Sequence, residues 1–219
     1  STRPSTPLTP SNTSPRSTVE KVQVRPIDSE LACPWILKKH YARRLPNIMY
    51  AFGMFIDANL TGVITYGSPA SPSLTTGIAG PQNKHLVMEL NRLIVEEGKP
   101  SMLISRSLKM IPGPRIVVSY ADTEMSHIGY VYQASNWIYT GCSKERTDML
   151  SEGHARHNKG DKTLRQHRSA KHRYVYLVGS QKEKKYLRKC MKYMPEPYPK
   201  GQVKHYDTGG NIPRQMLLI

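Results

Sequence analysis

Apolar and polar positions along the chain divide it into short elements of two periodicities. Residues 22–27 alternate, with Val22 and Val24 set against Gln23 and Arg25, and predict a first strand. Residues 29 to about 41 predict a helix, with Ser29 as N-cap and Leu31, Trp35 and Ile36 on one face, although Pro34 falls in its early turns. Two apolar runs, 49–56 and 60–66, flank Asp57-Ala58-Asn59 and predict a hairpin. Residues 67–82 are rich in Gly, Pro, Ser and Thr and predict a loop. A strand is expected over 86–95 and a helix over 101–111, where Leu103, Ile104, Leu108 and Ile111 share a face before Pro112-Gly113-Pro114 stops it. A buried strand over 116–120, a helix over 125 to about 136 and a short strand over 137–140 follow. Past a loop-like run at 153–174 come a strand over 173–179 and a basic helix over 181–192. The order β-α-β-β-β-α-β-α-β up to residue 140 predicts a mixed sheet with helices on its faces.

Composition adds boundaries. Ser, Thr and Pro supply 14 of the first 18 residues, a segment with too little apolar surface to offset its ordering entropy, so 1–18 is expected to be a disordered tail. The chain starts at Ser1, as expected of a processed or trimmed product. The net charge is +16, and it is uneven: residues 143–219 carry 18 Lys and Arg against 7 Asp and Glu. Such a charge points to a polyanionic partner, nucleic acid before membrane. No apolar run approaches the ~18 residues of a membrane span, and no leader is expected. Three widely spaced cysteines, Cys33, Cys142 and Cys190, argue against a disulfide framework and for a cytosolic protein. The expected organisation is the tail, a core over 19–142, and a basic extension over 143–219 that completes the same domain and binds DNA.

Candidate chemistry concentrates in 119–141. There Asp122 follows the apolar strand Ile116-Val117-Val118, and His127, Tyr120, Tyr130, Tyr132, Tyr139, Gln133, Asn136 and Trp137 crowd behind it. A carboxylate, an imidazole and phenols at a strand end are groups that move protons or hold a ligand. The plain alternative is a helix cap and core aromatics. A second cluster, His40-Tyr41-Ala42-Arg43-Arg44, brings imidazole, phenol and two guanidinium groups to a helix end; its plain alternative is a basic C-terminus favoured by the helix dipole. The histidines at 154, 157, 167 and 172 sit among cations such as Arg156, Lys159 and Lys162, which favours a DNA-facing basic loop over a metal site. Lys184, Lys185, Tyr186, Arg188, Lys189, Lys192 and Tyr193 suit phosphate contacts with aromatic packing.

The element order, with YQASNWIYTG at 132–141, resembles the GNAT-type acyltransferase fold, a mixed and mostly antiparallel sheet flanked by helices. More closely, KKHYARRLPN at 38–47, ELNRLIV at 89–95, SYAD at 119–122, YQASNWIYTG and the basic run KHRYVYLVGSQKEKK at 171–185 resemble the phage Mom family of DNA adenine modification proteins. That resemblance implies addition of a carbamoylmethyl-type (momyl) group to the exocyclic amine of adenine in double-stranded phage DNA, in the cytoplasm of an infected bacterium, as protection against host restriction. It marks His40, Tyr41, Asp122 and Tyr132 as catalytic candidates, with Asp122 as general base. It implies acetyl-CoA or a related acyl donor at Leu93, Ile94, Val95, Ser101, Tyr132 and Asn136, and iron at His40 and Asp122. DNA contacts are expected from Arg43, Arg44, Arg156, Lys159, Lys162, Arg165, Arg168, Lys171 and Arg173. The segment 97–102, EGKPSM, stands where GNAT proteins carry their pyrophosphate loop. The rival readings are a GNAT-type acetyltransferase of small amines or proteins, and a DNA-binding protein without catalysis.

Overall fold

A computed structural model describes residues 21–149 and 165–201. The first strand, β1 (Val22–Pro26), leads into α1 (Ser29–Lys39), whose N-cap is Asp28 and not Ser29. Ala32 and Ile36, one turn apart, are fully buried against Ala51, Val63 and Ile94. The hairpin forms as β2 (Tyr50–Ile56) and β3 (Asn59–Gly67), with Ile56 opposite Asn59. Both loop residues, Asp57 and Ala58, take positive φ (46° and 72°), as a two-residue turn matched to strand twist requires.

The expected loop over 67–82 contains a helix, α2 (Pro72–Asn83), broken at Gly80 and continued by a 3₁₀ turn, Lys84–Leu86. Its Gly, Ser and Thr are poor helix formers, so packing decides the outcome: Ile78 and Ala79 are buried against Leu187 and Cys190. Then come β4 (Val87–Val95), α3 (Pro100–Leu108) and β5 (Arg115–Asp122). The helix expected over 125–136 shrinks to α4 (Tyr130–Gln133). Turns carry the chain from Thr123 to Ser126, and Gly129 takes φ 76°, which ends any helix before Tyr130. The chain continues through β6 (Ile138–Cys142), β7 (Arg146–Met149), β8 (Arg165–Arg168), β9 (Lys171–Val178) and α5 (Gln181–Cys190). Thus the run expected to be loop-like over 153–174 includes β8 and the start of β9. A reciprocal capping box, Ser180 with Glu183, fixes the start of α5.

Seven strands form one sheet in the order β1-β2-β3-β4-β5-β9-β6, and β7 and β8 form a separate hairpin. Every pairing in the large sheet is antiparallel except β4 with β5. Strand alternation sends Met88, Leu90, Val117 and Tyr174 to one face, under α3 and α4. It sends Val87, Ile116, Val118 and Val175 to the other, under α2 and α5, with α1 covering β2 and β3 beside them. No helix among the described residues is long and apolar enough to cross a membrane.

Gly129 is needed for space as well as for φ. A Cβ there would lie 2.3 Å from the ring of Tyr174, which is fully buried. Gly129→Ala is expected to destabilise the protein by about 2–3 kcal/mol in denaturant unfolding.

Candidate active site

The parallel pairing of β4 with β5 covers only Val87, Met88 and Glu89, opposite Ile116, Val117 and Val118. Beyond those pairs β4 stays with β3 and β5 stays with β9, so the sheet opens between them. Side chains reach this opening from both faces.

On the α1 face, a bulge in β4 controls what is presented. Thr65 pairs with Arg92 and Tyr66 with Leu90, so Asn91 is the extra residue. The bulge shifts the alternation by one, and Glu89 and Arg92, three apart, come to the same face. The spacing was visible in ELNRLIV, where the apolar residues Leu90, Leu93 and Val95 break strict alternation at Asn91. Asn91 accepts from the Thr65 hydroxyl (2.6 Å) and donates to the Asn47 carbonyl (2.8 Å). Arg92 donates to the Arg44 carbonyl (2.7 Å) and to the Asn91 carbonyl (2.5 Å), while its buried Nε has no partner. These bonds hold the 40–47 loop against β4. Gly67 permits the approach, because a Cβ there would fall 1.8 Å from the Asn47 carbonyl oxygen.

His40 and Tyr41 are thereby held beside Arg92. Their rings stack at 4.4 Å, and Tyr41 is 58% exposed. Burial, and then the Arg92 guanidinium, pull the His40 imidazole down to about 3, so the ring is neutral. The Ala42 N–H donates to its Nδ1 (3.1 Å), which leaves the proton on Nε2.

From the α3 face comes Tyr132. Ser119 donates to its hydroxyl (2.8 Å) and lies 3.1 Å from the Leu90 carbonyl. Burial raises the phenol to about 12, against the lowering effect of Ser119, and nearby Tyr41 and Glu89 add to the rise. At neutral pH Tyr132 is therefore a proton donor. On the same face, α3 and the residues after α4 line an open pocket of about 480 Å³, with Lys99, Ser101, Arg106, Lys109, Asn136 and Tyr176 among its walls. Two of the residues implied for a donor, Ser101 and Asn136, meet there. Leu93 and Val95 pack into the α3-face core, and Ile94 packs under α1.

Asp122 belongs to a different cluster. Its carboxylate accepts from Ser169 and Lys171 and from the Glu124 N–H (3.2 Å). Burial alone would raise its pKa, but the bonds from Lys171 and Ser169 hold it below the ordinary carboxylate value. These contacts tie the end of β5 to the turn before β9, and the Thr123 hydroxyl donates to the Ala170 carbonyl in the same place (2.7 Å). His127 stands near Asp122 and Lys171, and burial is the main cause that lowers its pKa.

Iron does not fit His40 and Asp122. One nitrogen of His40 accepts a backbone bond and the other carries the proton, while Asp122 is engaged by a lysine and a serine. Among the described residues no three His, Cys, Asp or Glu side chains gather as a metal site. A phosphate-bearing donor fits better: Lys99, Arg106 and Lys109 line the pocket along α3 from its N-cap to its C-cap, and no side chain caps the first-turn N–H groups.

The cations expected at DNA divide. Arg43 and Arg44 are exposed next to Tyr41. Lys171 is paired with Asp122, and Arg173 donates to Thr140 (3.0 and 2.6 Å) and lies 3.4 Å over the Tyr193 ring. Arg165 and Arg168 are on β8, and Arg156, Lys159 and Lys162 lie outside the described residues.

The fold is a mixed α/β domain whose sheet parts between β4 and β5, with a cationic pocket on one face and an Arg-His-Tyr cluster on the other. The model of the Mom protein family matches residues 21–160, and the chain belongs to that family. It is 28% identical over 207 residues to the methylcarbamoylase Mom of Escherichia phage Mu, covering 83% of this chain and 85% of the relative. Among solved structures, a GNAT-family acetyltransferase from Bacillus cereus is 12% identical with a TM-score of 0.41, covering 73% of this chain and 99% of that one. An N-acetyltransferase from Staphylococcus aureus is 16% identical with a TM-score of 0.43, with the same coverage of 73% and 99%.

The Asp122 cluster gives a pH prediction. A carboxylate with a depressed folded pKa stabilises the fold above its unfolded pKa, and that stability is lost as pH falls through the folded value. Asp122→Asn should cost about 1–2 kcal/mol at pH 7. The gap between the two proteins in thermal melts should close as the pH is taken below the ordinary carboxylate range.

Proposed function

We propose that the protein transfers a carbamoylmethyl-type (momyl) group from a small-molecule donor to the exocyclic amine of adenine in double-stranded DNA. The mark shields phage DNA from host restriction, and the work is done in the cytoplasm of the infected bacterium. The observation that carries this reading is the two-sided opening between β4 and β5. The cationic pocket on the α3 face and the His40–Tyr41–Arg92 cluster on the α1 face offer a donor and an acceptor separate places to dock. Kinship with a protein named a methylcarbamoylase supports the type of group, and the charge of +16 supports the polyanionic acceptor.

Adenine's amine is a poor nucleophile and lies inside a base pair, so the base has to be extruded and held. Exposed Tyr41, stacked on His40, offers a face for that base, and Arg43 and Arg44 beside it suit the flanking phosphates. Lys99, Arg106 and Lys109 would hold the phosphates of a CoA-type donor. A thioester carbonyl would leave an amide on the amine, so the carbon that such a donor would present for carbamoylmethyl transfer is the methylene next to the carboxamide. The neutral Tyr132 phenol donates a hydrogen bond where charge develops on the donor.

Mass spectrometry of nucleosides from plasmid DNA tests the reading. Cells expressing the protein should contain a heavier deoxyadenosine, and Tyr132→Phe should lower its yield about 10–100-fold. Unmodified DNA from cells holding soluble, folded protein would overturn the reading in favour of an acetyltransferase of small amines or a passive DNA binder. In duplex titrations Arg43→Ala with Arg44→Ala should weaken binding and reduce the salt slope by about 2.

A further inference from the structure

Transfer to adenine requires a group that takes a proton from its amine, and the assignment of that group rests on the proposed function. Asp122, the carboxylate singled out by sequence, already accepts from Ser169, Lys171 and a backbone N–H. We propose that Glu89 is the proton acceptor of the transfer step.

Glu89 is the last residue of β4 paired with β5, opposite Val118, so it stands where the two strands part. The bulge at Asn91 puts Arg92 on the same face, and alternation along β5 brings Tyr120 there too. Electrostatic neighbours of Glu89 come from both sides of the opening: Arg92 and Tyr120 on its own face, and Tyr132 from the other. The loop carrying His40 and Tyr41 is held over the same place by Arg92 and Asn91. Among the described residues no Lys, Arg or His nitrogen lies within ion-pair distance of the Glu89 carboxylate; its backbone partner is Ala70. Burial raises its pKa, only partly offset by the Ala70 N–H and Arg92, which makes it a stronger base than an exposed glutamate. Tyr120 and Tyr132 do not compete for the proton, because burial holds both as neutral phenols.

In the step, the exocyclic nitrogen forms a bond to the methylene carbon of the carbamoylmethyl donor. The bond from that carbon to its leaving group breaks, with the electron pair staying on the leaving group. The proton lost by the nitrogen passes to a Glu89 Oε. A solely structural Glu89, serving as a cap for the Ala70 N–H, would predict that substitution costs stability before activity.

The experiment compares full-length wild type, Glu89→Gln and Glu89→Asp in plasmid-bearing cells, reading modified deoxyadenosine by mass spectrometry. Purified proteins are melted and titrated with labelled duplex. Glu89→Gln should melt as wild type and bind duplex within about twofold, with modification at least about 100-fold lower. Glu89→Asp, which draws the carboxylate back, should lose about 10-fold. A folded Glu89→Gln at wild-type yield overturns the assignment and leaves the proposed function standing. Loss of stability or duplex affinity in step with activity gives Glu89 a structural role and also overturns it. Absence of any modified nucleoside from wild type overturns the function and this assignment together. Should Glu89→Gln not fold, a folded Glu89→Asp at wild-type yield overturns the assignment.

Discussion

The parting of β4 from β5 is the constraint on which the rest of the molecule depends. Two parallel strands that separate after three pairs leave main-chain groups that other partners must satisfy. On β4 the Leu90 carbonyl lies 3.1 Å from the Ser119 hydroxyl, which donates to Tyr132. On β5 the outer edge is taken up by β9 along its whole length, from Arg115 opposite Val178 to Asp122 opposite Lys171. A buried tyrosine and a serine thus meet at one interruption in the sheet.

The bulge at Asn91 is the second determinant, and it acts through the first. Without the extra residue Glu89 and Arg92 would point to opposite faces, and the 40–47 loop would lose its two anchors on β4. With it, a helix C-terminus, a hairpin and a split strand converge. The desolvation that keeps His40 neutral is a product of that convergence, because the ring is packed against the loop and Arg92.

Much of this was legible in the sequence where local signals and packing agree. The alternating strands, the helical spacing of Leu103, Ile104 and Leu108, and the basic helix before residue 192 all form as their patterns predict. His40, Tyr41 and Tyr132 stood out by residue type; His40 stacks on Tyr41, Tyr132 is bonded to Ser119, and Ser101 and Asn136 line one pocket. Helix α2 was not legible, since Gly, Ser, Thr and Pro carry no helical signal and only burial of Ile78 and Ala79 under α5 holds it. Asp122 was conspicuous at its strand end, but the partners that fix its charge, Ser169 and Lys171, lie almost fifty residues away along the chain. Glu89 and Arg92 passed as ordinary strand residues because a phase shift of one is easy to overlook in a short run.

The position of β9 has a consequence for how the chain reaches this state. It lies between β5 and β6 in the sheet, yet it is made after both. Until Lys171 to Val178 arrive, the apolar strand Ile116-Val117-Val118 has an open edge and β6 has no neighbour in the sheet. Contacts of such long sequence separation form slowly, and an exposed edge of this kind pairs readily with other chains. The sheet is therefore completed from its middle, late in synthesis, and a growing chain depends on reaching its basic C-terminal segment before it meets another copy of itself.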